Sequence, residues 1–230
     1  KKNKISLKKN KKNYEILGKN FDGSILLNKI LKSDNKDGVS GILNNFNSSV
    51  KFSIDQTYID NSSYLNGLNG SLKFLNNNLV NLNLTADFAD NKKLTFTIKT
   101  NENNEKITSL FSDYPKPLVK RYKFIKGFEE GVLDFHSIKK NNVSKSVLKI
   151  DNFKVKEVPV LAKLLTLASL QGIADLLTGE GIRFTDFEMI FSNKDKLMTI
   201  DEMYAIGPAI SIMMDGYIES EKLISLRGTL

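Results

Sequence analysis

The chain has 230 residues, of which 40% are hydrophobic, and it carries a formal net charge of +8. This length allows one large all-β domain or two smaller ones. Cysteine is missing and His136 is the single histidine, which excludes disulfides, cysteine nucleophiles and zinc sites built from several Cys or His ligands.

The positive charge is concentrated at the start of the chain. Residues 1–12 (KKNKISLKKNKK) hold seven lysines and no acidic residue, and leave a net charge of only +1 for residues 13–230. We interpret residues 1–12 as a basic tail, either disordered or the edge of a fragment, and we predict no nucleic-acid groove. Because the sequence starts in the middle of a residue pattern and ends inside the strand-like run 223–230, we expect a piece of a longer protein.

Residues 13–230 predict one continuous β-rich segment, because apolar and polar residues alternate with a period of two. Turn-forming dipeptides such as Asn66-Gly67, Asn69-Gly70 and Asn141-Asn142 lie between the alternating segments. Short sequential strands favour an antiparallel meander. The apolar positions of these segments are predicted to share one dry face: Val50, Phe52, Ile54, Leu72, Phe74, Val80, Leu82, Leu84, Leu94, Phe96, Ile98, Leu148 and Ile150.

Two stretches depart from this alternation. Residues 108–121 contain Pro115 and Pro117 and predict an irregular crossing with a short helix, a candidate internal break. Residues 159–178 predict a pair of short apolar helices packed on the sheet. Polar residues interrupt this second stretch, which disfavours a membrane span.

The last part of the sequence returns to strands. Four consecutive strands are predicted at residues 182–191, 197–204, 208–218 and 223–230.

Catalytic and metal-binding patterns are not found. His136 lies on a predicted strand where Asp134 shares its face and Ser137 points the other way, so no Ser-His-acid triad forms. The acidic pair Glu129-Glu130 is predicted in a turn, and the pair Asp201-Glu202 between two strands, as ordinary surface acids. We therefore predict a protein that is not an enzyme and that uses no cofactor or metal.

A series of short motifs in residues 150–230 resembles the C-terminal region of AsmA-like proteins of the YhdP type. The motifs include Ile150-Asp151-Asn152-Phe153-Lys154-Val155, Gly179-Glu180-Gly181-Ile182-Arg183-Phe184, Ala205-Ile206-Gly207-Pro208-Ala209, Asp215-Gly216-Tyr217-Ile218 and Leu226-Arg227-Gly228-Thr229-Leu230.

This resemblance implies a strongly curved, taco-shaped antiparallel sheet around a hydrophobic groove. It also implies an envelope protein, facing the periplasm and anchored in the inner membrane by a segment outside this chain. Such proteins are implicated in moving phospholipid between the inner and outer membranes. The dry-face residues would then line the groove and contact phospholipid acyl chains.

The alternation itself leaves a second interpretation open. A structural or protein-interaction β-sandwich, with its apolar face filled by an opposing sheet, requires the same one-sided strands. The two interpretations differ in whether protein fills the apolar face.

Overall fold

The computed structural model describes residues 3–24, 47–120, 127–156, 181–219 and 223–229. These residues form a mainly β protein with thirteen strands, one short α-helix and one 3-10 turn. The chain divides into two compact units, residues 1–108 and 109–230. Mainly β architecture was predicted from the period-two alternation, and the structure confirms it.

The first unit contains six complete strands. They are β1 (Lys4–Asn10), β2 (Asn13–Asp22), β3 (Ser49–Tyr58), β4 (Tyr64–Leu75), β5 (Asn78–Asp87) and β6 (Lys93–Thr100). The 3-10 turn Ala89–Asn91 connects the last two. Each strand pairs with the next one along the chain, so the order in the sheet is the order in the sequence.

The second unit repeats this arrangement. Its strands are β8 (Phe128–Lys140), β9 (Val143–Val155), β10 (Ile182–Lys194), β11 (Leu197–Ile206), β12 (Ser211–Glu219) and β13 (Leu223–Thr229). All consecutive pairs from β8 to β13 are antiparallel. The four C-terminal strands predicted from the sequence are therefore confirmed, with small shifts of their ends. A further strand, β7 (Lys106–Ser112), includes the boundary between the units.

One strand pair contradicts the predicted antiparallel meander. β2 and β3 run parallel, with Asn13 opposite Ser49 and Phe21 opposite Thr57. A parallel pair needs a connection of about a dozen residues or more, and residues 23–48 supply one. Hairpin turns were expected because the strands are sequential, yet this long connection allows the chain to return and start β3 beside β2 in the same direction. The sheet is consequently mixed.

Two of the predicted turns are part of a strand. Asn66-Gly67 and Asn69-Gly70 both lie inside β4. Gly67 has a positive φ of 56°, and the register between β4 and β5 shifts between Asn66 and Asn69. Gly67 thus belongs to a β-bulge, which uses the same positive-φ chemistry as a turn, whereas Gly70 lies opposite Leu84 in the regular part of the strand pair.

The basic segment at the start of the chain differs from the expected disordered tail. Residues Lys4–Asn10 form β1, which pairs antiparallel with β2 through a turn at residues 11–12. Every side chain of β1 is exposed. Ile5 and Leu7 supply the strand alternation that the surrounding lysines obscured.

Part of the irregular stretch 108–121 is regular. Residues 108–112 complete β7, and the short helix α1 (Lys116–Val119) follows, with Pro115 before its first residue. The expected short helix is confirmed. Its prolines are compatible with this position, because proline suits a first helical turn. The helical pair predicted at residues 159–178 lies outside the described residues.

Phenylalanine rings form a cluster within the core of the second unit. The Phe153 ring stacks between those of Phe128 and Phe184, at centroid distances of 5.4 and 5.3 Å, and meets the edge of Phe187 at 6.3 Å. Phe153 can join Ile150 in this layer because the backbone between them is irregular: Asn152 has a φ of 52°. The alternation of inward and outward side chains therefore slips by one residue.

Substitution Phe153→Ala is expected to destabilise the second unit by about 3–5 kcal/mol, since it removes a ring that touches three others in a packed interior. Urea denaturation followed by circular dichroism measures this loss. Phe111→Ala is the matched control, because Phe111 is exposed and its truncation should change the free energy of unfolding by less than about 0.5 kcal/mol. Equal losses for the two variants would contradict a central role for Phe153.

Candidate functional site: in-register apolar rows

Cross-strand register in the first unit brings the predicted dry-face residues together. Residues directly opposite each other on paired strands project from the same face of a sheet. One row of opposite residues, here called row A, runs across β2 to β6: Tyr14, Val50, Leu72, Leu82 and Ile98. Four of its five members were predicted from the sequence. Its apolar side chains are buried or half-buried.

A second row, row B, lies beside row A on the same face. It consists of Ile16, Phe52, Gly70, Leu84 and Phe96. Gly70 has no side chain, and the Phe52 ring fills the space, since a Cβ atom on Gly70 would lie 2.6 Å from Phe52 Cζ. The apolar surface is therefore continuous across the glycine.

The remaining predicted residues of this unit occupy the ends of the face. Ile54 lies opposite Leu68, and Leu94 lies opposite Ala86; all four are buried.

A register shift modifies one edge of the face. Phe74 is buried and lies opposite Leu79, next to the shift between Lys73 and Phe74. Val80 is the extra residue at this shift and is half-buried. Its placement follows from the bulge and not from simple alternation.

The second unit carries two corresponding rows, one across five strands and one across six. Only Leu148 and Ile150 were predicted here from the sequence. Row C consists of Leu133, Ile150, Phe187, Ala205 and Ile212, and row D of Phe135, Leu148, Met189, Met203, Met214 and Gly228. Most of these residues were missed, because apolar residues such as Ile190 and Ile206 also occupy outward positions and hide the period of two.

A pair of serine residues, here called the polar step, interrupts the apolar face beside row D. Ser137 and Ser146 are buried opposite each other, and the Ser146 hydroxyl donates a 2.8 Å hydrogen bond to Ser137 Oγ. On the other side of Ser146 lies Phe191, whose ring stacks with Phe135 at 6.5 Å. The two hydroxyls are hydrogen-bonded to each other, so burying them within an apolar surface costs little free energy.

The single histidine is placed as predicted. His136 is exposed, and Ser137, its neighbour on the strand, is buried on the other face. His136 Nδ1 is 3.1 Å from Ser109 Oγ, and the Ser109 residue is half-buried. No triad geometry involves Asp134, which lies opposite Lys149.

Glu129 and Glu130 lie inside β8, which corrects the turn predicted for them, and both form ion pairs. Glu129 contacts Lys116 and Lys156 at 3.3 and 2.9 Å, while Glu130 contacts Lys154 and Arg183 at 3.4 and 3.1 Å. The Lys156 and Lys116 ammonium groups lower the pKa of the Glu129 carboxyl.

Residues Asp201-Glu202 lie inside β11, which corrects the prediction that they separate two strands. The register shift between Ile200 and Met203 falls at this acidic pair. A bulge allows polar residues to sit within a strand without turning the chain.

The polar face of the second unit carries an ordered charge cluster. Glu188 accepts a hydrogen bond from Tyr204 Oη at 3.2 Å and pairs with Lys149 Nζ at 2.7 Å. The ammonium group of Lys149 lowers the pKa of Glu188, and Glu188 in turn raises the pKa of Lys149. Limited burial together with the Glu188 charge raises the pKa of Tyr204.

Within the described ranges, no group of three or more His, Cys, Asp or Glu side chains could hold a metal ion. Among the same residues, no helix has both the length and the apolar character required to cross a bilayer. Comparisons with models of protein families, with curated proteins and with solved structures found no match. The similarity to AsmA-like proteins stays a prediction.

The Glu188 cluster predicts how acid affects stability. Because the folded pKa of Glu188 is lowered, its stabilising contribution is present above the ordinary value of 4.5 and is lost as the pH falls through the folded pKa. Glu188→Gln should therefore lose less stability than the native chain between about pH 5 and pH 3. Urea denaturation at several pH values measures the difference. Glu202→Gln is the control, since Glu202 takes part in none of the described ion pairs, and an identical acid profile for all three proteins would contradict this role.

Proposed function

We propose that this chain is a segment of a bacterial cell-envelope protein that holds phospholipid acyl chains on its apolar face and passes them between the inner and outer membranes. The observation that supports this proposal is the continuity of the apolar rows. In each unit, rows of opposite residues extend without a charged side chain across five or six strands.

The dimensions of the rows suit an acyl chain. Neighbouring strands are about 4.8 Å apart, so a row that crosses five strands is about 19 Å long. That is comparable to an extended acyl chain. Each methylene group removed from water contributes about 0.8 kcal/mol, so an acyl chain needs no specific polar contact to be retained.

The chemical character of the rows also suits a mobile ligand. Row D contains three methionines, Met189, Met203 and Met214, whose unbranched side chains adapt to changing neighbours. The polar step of Ser137 with Ser146 is internally satisfied. A lipid chain that moves along such a surface meets no strong local minimum.

The cellular setting belongs to the same proposal and rests on the motifs in residues 150–230. A location facing the periplasm, an inner-membrane anchor outside this chain, and a sheet curved into a groove are the features that the AsmA-like resemblance implies. Curvature would enclose an acyl chain on the apolar face and shield it from water.

Among the described strands, the alternative of a closed β-sandwich lacks one expected feature. A sandwich buries the inner face of one sheet against a second sheet. Within each unit, the described strands pair in chain order in a single sheet. This arrangement favours a face that receives a ligand.

A photoreactive phospholipid with a diazirine on its acyl chain tests the proposal. We expect crosslinks, mapped by mass spectrometry, on residues of rows A to D and not on the opposite face. Leu84→Gln, which places an amide in the middle of row B, should reduce crosslinking several-fold. Thr85→Gln is the matched control, because Thr85 is exposed on the other face of the same strand.

Mass spectrometry of the purified chain provides a second measurement. Co-purifying phospholipid is expected in the native chain and in Thr85→Gln, and less of it in Leu84→Gln. Consistent absence of phospholipid from the native chain, or crosslinks confined to the polar face, would overturn the proposed function. Thermal melting of each variant separates loss of binding from loss of folding.

A further inference from the structure

The hairpin of β1 and β2 concentrates positive charge at one corner of the first unit. Residues 3–24 contain six lysines against two carboxylates, Glu15 and Asp22. Four of the lysines, at positions 8, 9, 11 and 12, fall at the end of the hairpin where β1 turns into β2. Their ammonium groups therefore crowd around one turn.

Among the described residues, these lysines form no ion pair. The described ion pairs engage lysines and arginines elsewhere, such as Lys93 with Asp87 and Arg227 with Asp215. None of them involves a hairpin lysine. Lys9 instead lies over the Tyr14 ring, 5.8 Å from its centroid, and Lys8 lies opposite Glu15 without an ion pair among the described contacts.

Exposed apolar side chains lie next to this charge. Leu7 is 65% exposed and Ile5 is 46% exposed. Leu7 lies opposite Ile16 and Ile5 opposite Gly18, so both project from the face that carries rows A and B. Lys9 projects from that face too, opposite Tyr14.

We propose that the β1–β2 hairpin docks the protein on the surface of an anionic phospholipid bilayer. The lysine ammonium groups contact headgroup phosphates, while Leu7 and Ile5 enter the boundary between headgroups and acyl chains. Lysines near an anionic surface and aliphatic side chains at this depth both favour binding. Tyr14 suits the same boundary, since its ring is apolar and its hydroxyl polar.

Nucleic acid is the other polyanion that a lysine cluster could bind. The hairpin tip lacks features typical of nucleic-acid sites: it has no arginine, and Tyr14 is its single aromatic residue. Exposed aliphatic side chains beside the lysines favour a bilayer, because a phosphodiester backbone offers them no apolar environment.

Docking of the hairpin concerns lipid headgroups and the bilayer surface, and is therefore distinct from the proposed binding of acyl chains. Experiments can contradict either role without contradicting the other. Loss of vesicle binding with co-purified phospholipid retained would remove only the docking role. Vesicle binding without any acyl crosslink would remove only the proposed function.

Co-sedimentation of the 230-residue chain with vesicles tests the docking role. We expect binding to vesicles of 30% phosphatidylglycerol in phosphatidylcholine and little binding to phosphatidylcholine alone. Raising the salt concentration from 0.1 to 1 M should abolish most of the binding, because the Debye length falls from about 10 to about 3 Å.

Two variants with equal charge change make the test specific. Lys9→Gln with Lys12→Gln should weaken binding about thirtyfold, since each lysine near an anionic surface contributes about fivefold. Lys194→Gln with Lys196→Gln removes two exposed lysines at the β10–β11 turn and should leave binding within about twofold. Equal weakening by both pairs would show a response to net charge alone and overturn the inference.

A third variant tests the apolar part of the docking surface. Leu7→Ser should weaken binding to the anionic vesicles about fivefold while keeping the melting temperature, because Leu7 is exposed. Unchanged vesicle binding by Leu7→Ser would overturn the insertion of this side chain. Binding of a fluorescent DNA or RNA oligonucleotide without binding to anionic vesicles would replace the bilayer with nucleic acid.

Discussion

Backbone hydrogen bonding between neighbouring strands sets the register, and the register decides which side chains share a face. A slip of one residue would move every side chain of a strand to the opposite face. In the first unit Val50 lies opposite Leu72, which lies opposite Leu82, so three separate alternating segments become one apolar row. Burial of these side chains stabilises the register, and the register in turn keeps the apolar surface continuous.

β-Bulges shift the register locally, while the side chains on either side of them keep their alternation. Positive φ at Gly67 and Asn152 lets the alternation slip locally, so that side chains an odd number of residues apart reach the same layer. The slip near Asn152 brings Phe153 into the layer of Ile150 and builds the aromatic cluster of the second unit. Local departures from regular strand geometry thus enlarge the apolar face.

The charged residues of the sheet differ in whether a described ion pair neutralises them. On the polar face, Glu188 with Lys149 and Asp215 with Arg227 neutralise each other across neighbouring strands. The lysines of the β1–β2 hairpin have no such partners among the described ion pairs, and they border exposed Leu7 and Ile5. This contrast separates charges that stabilise the sheet from charges available to an external anion.

The sequence by itself determined the β class, most strand positions and the membership of the apolar face in the first unit. Alternation such as Leu94, Phe96 and Ile98 is a local property that any one-sided strand must carry. Only the tertiary structure decided the parallel pairing of β2 with β3, the strand at Lys4–Asn10 and the rows of the second unit. These features depend on which strands become neighbours and where bulges shift the register, and such long-range pairing is not encoded in the period of any single segment.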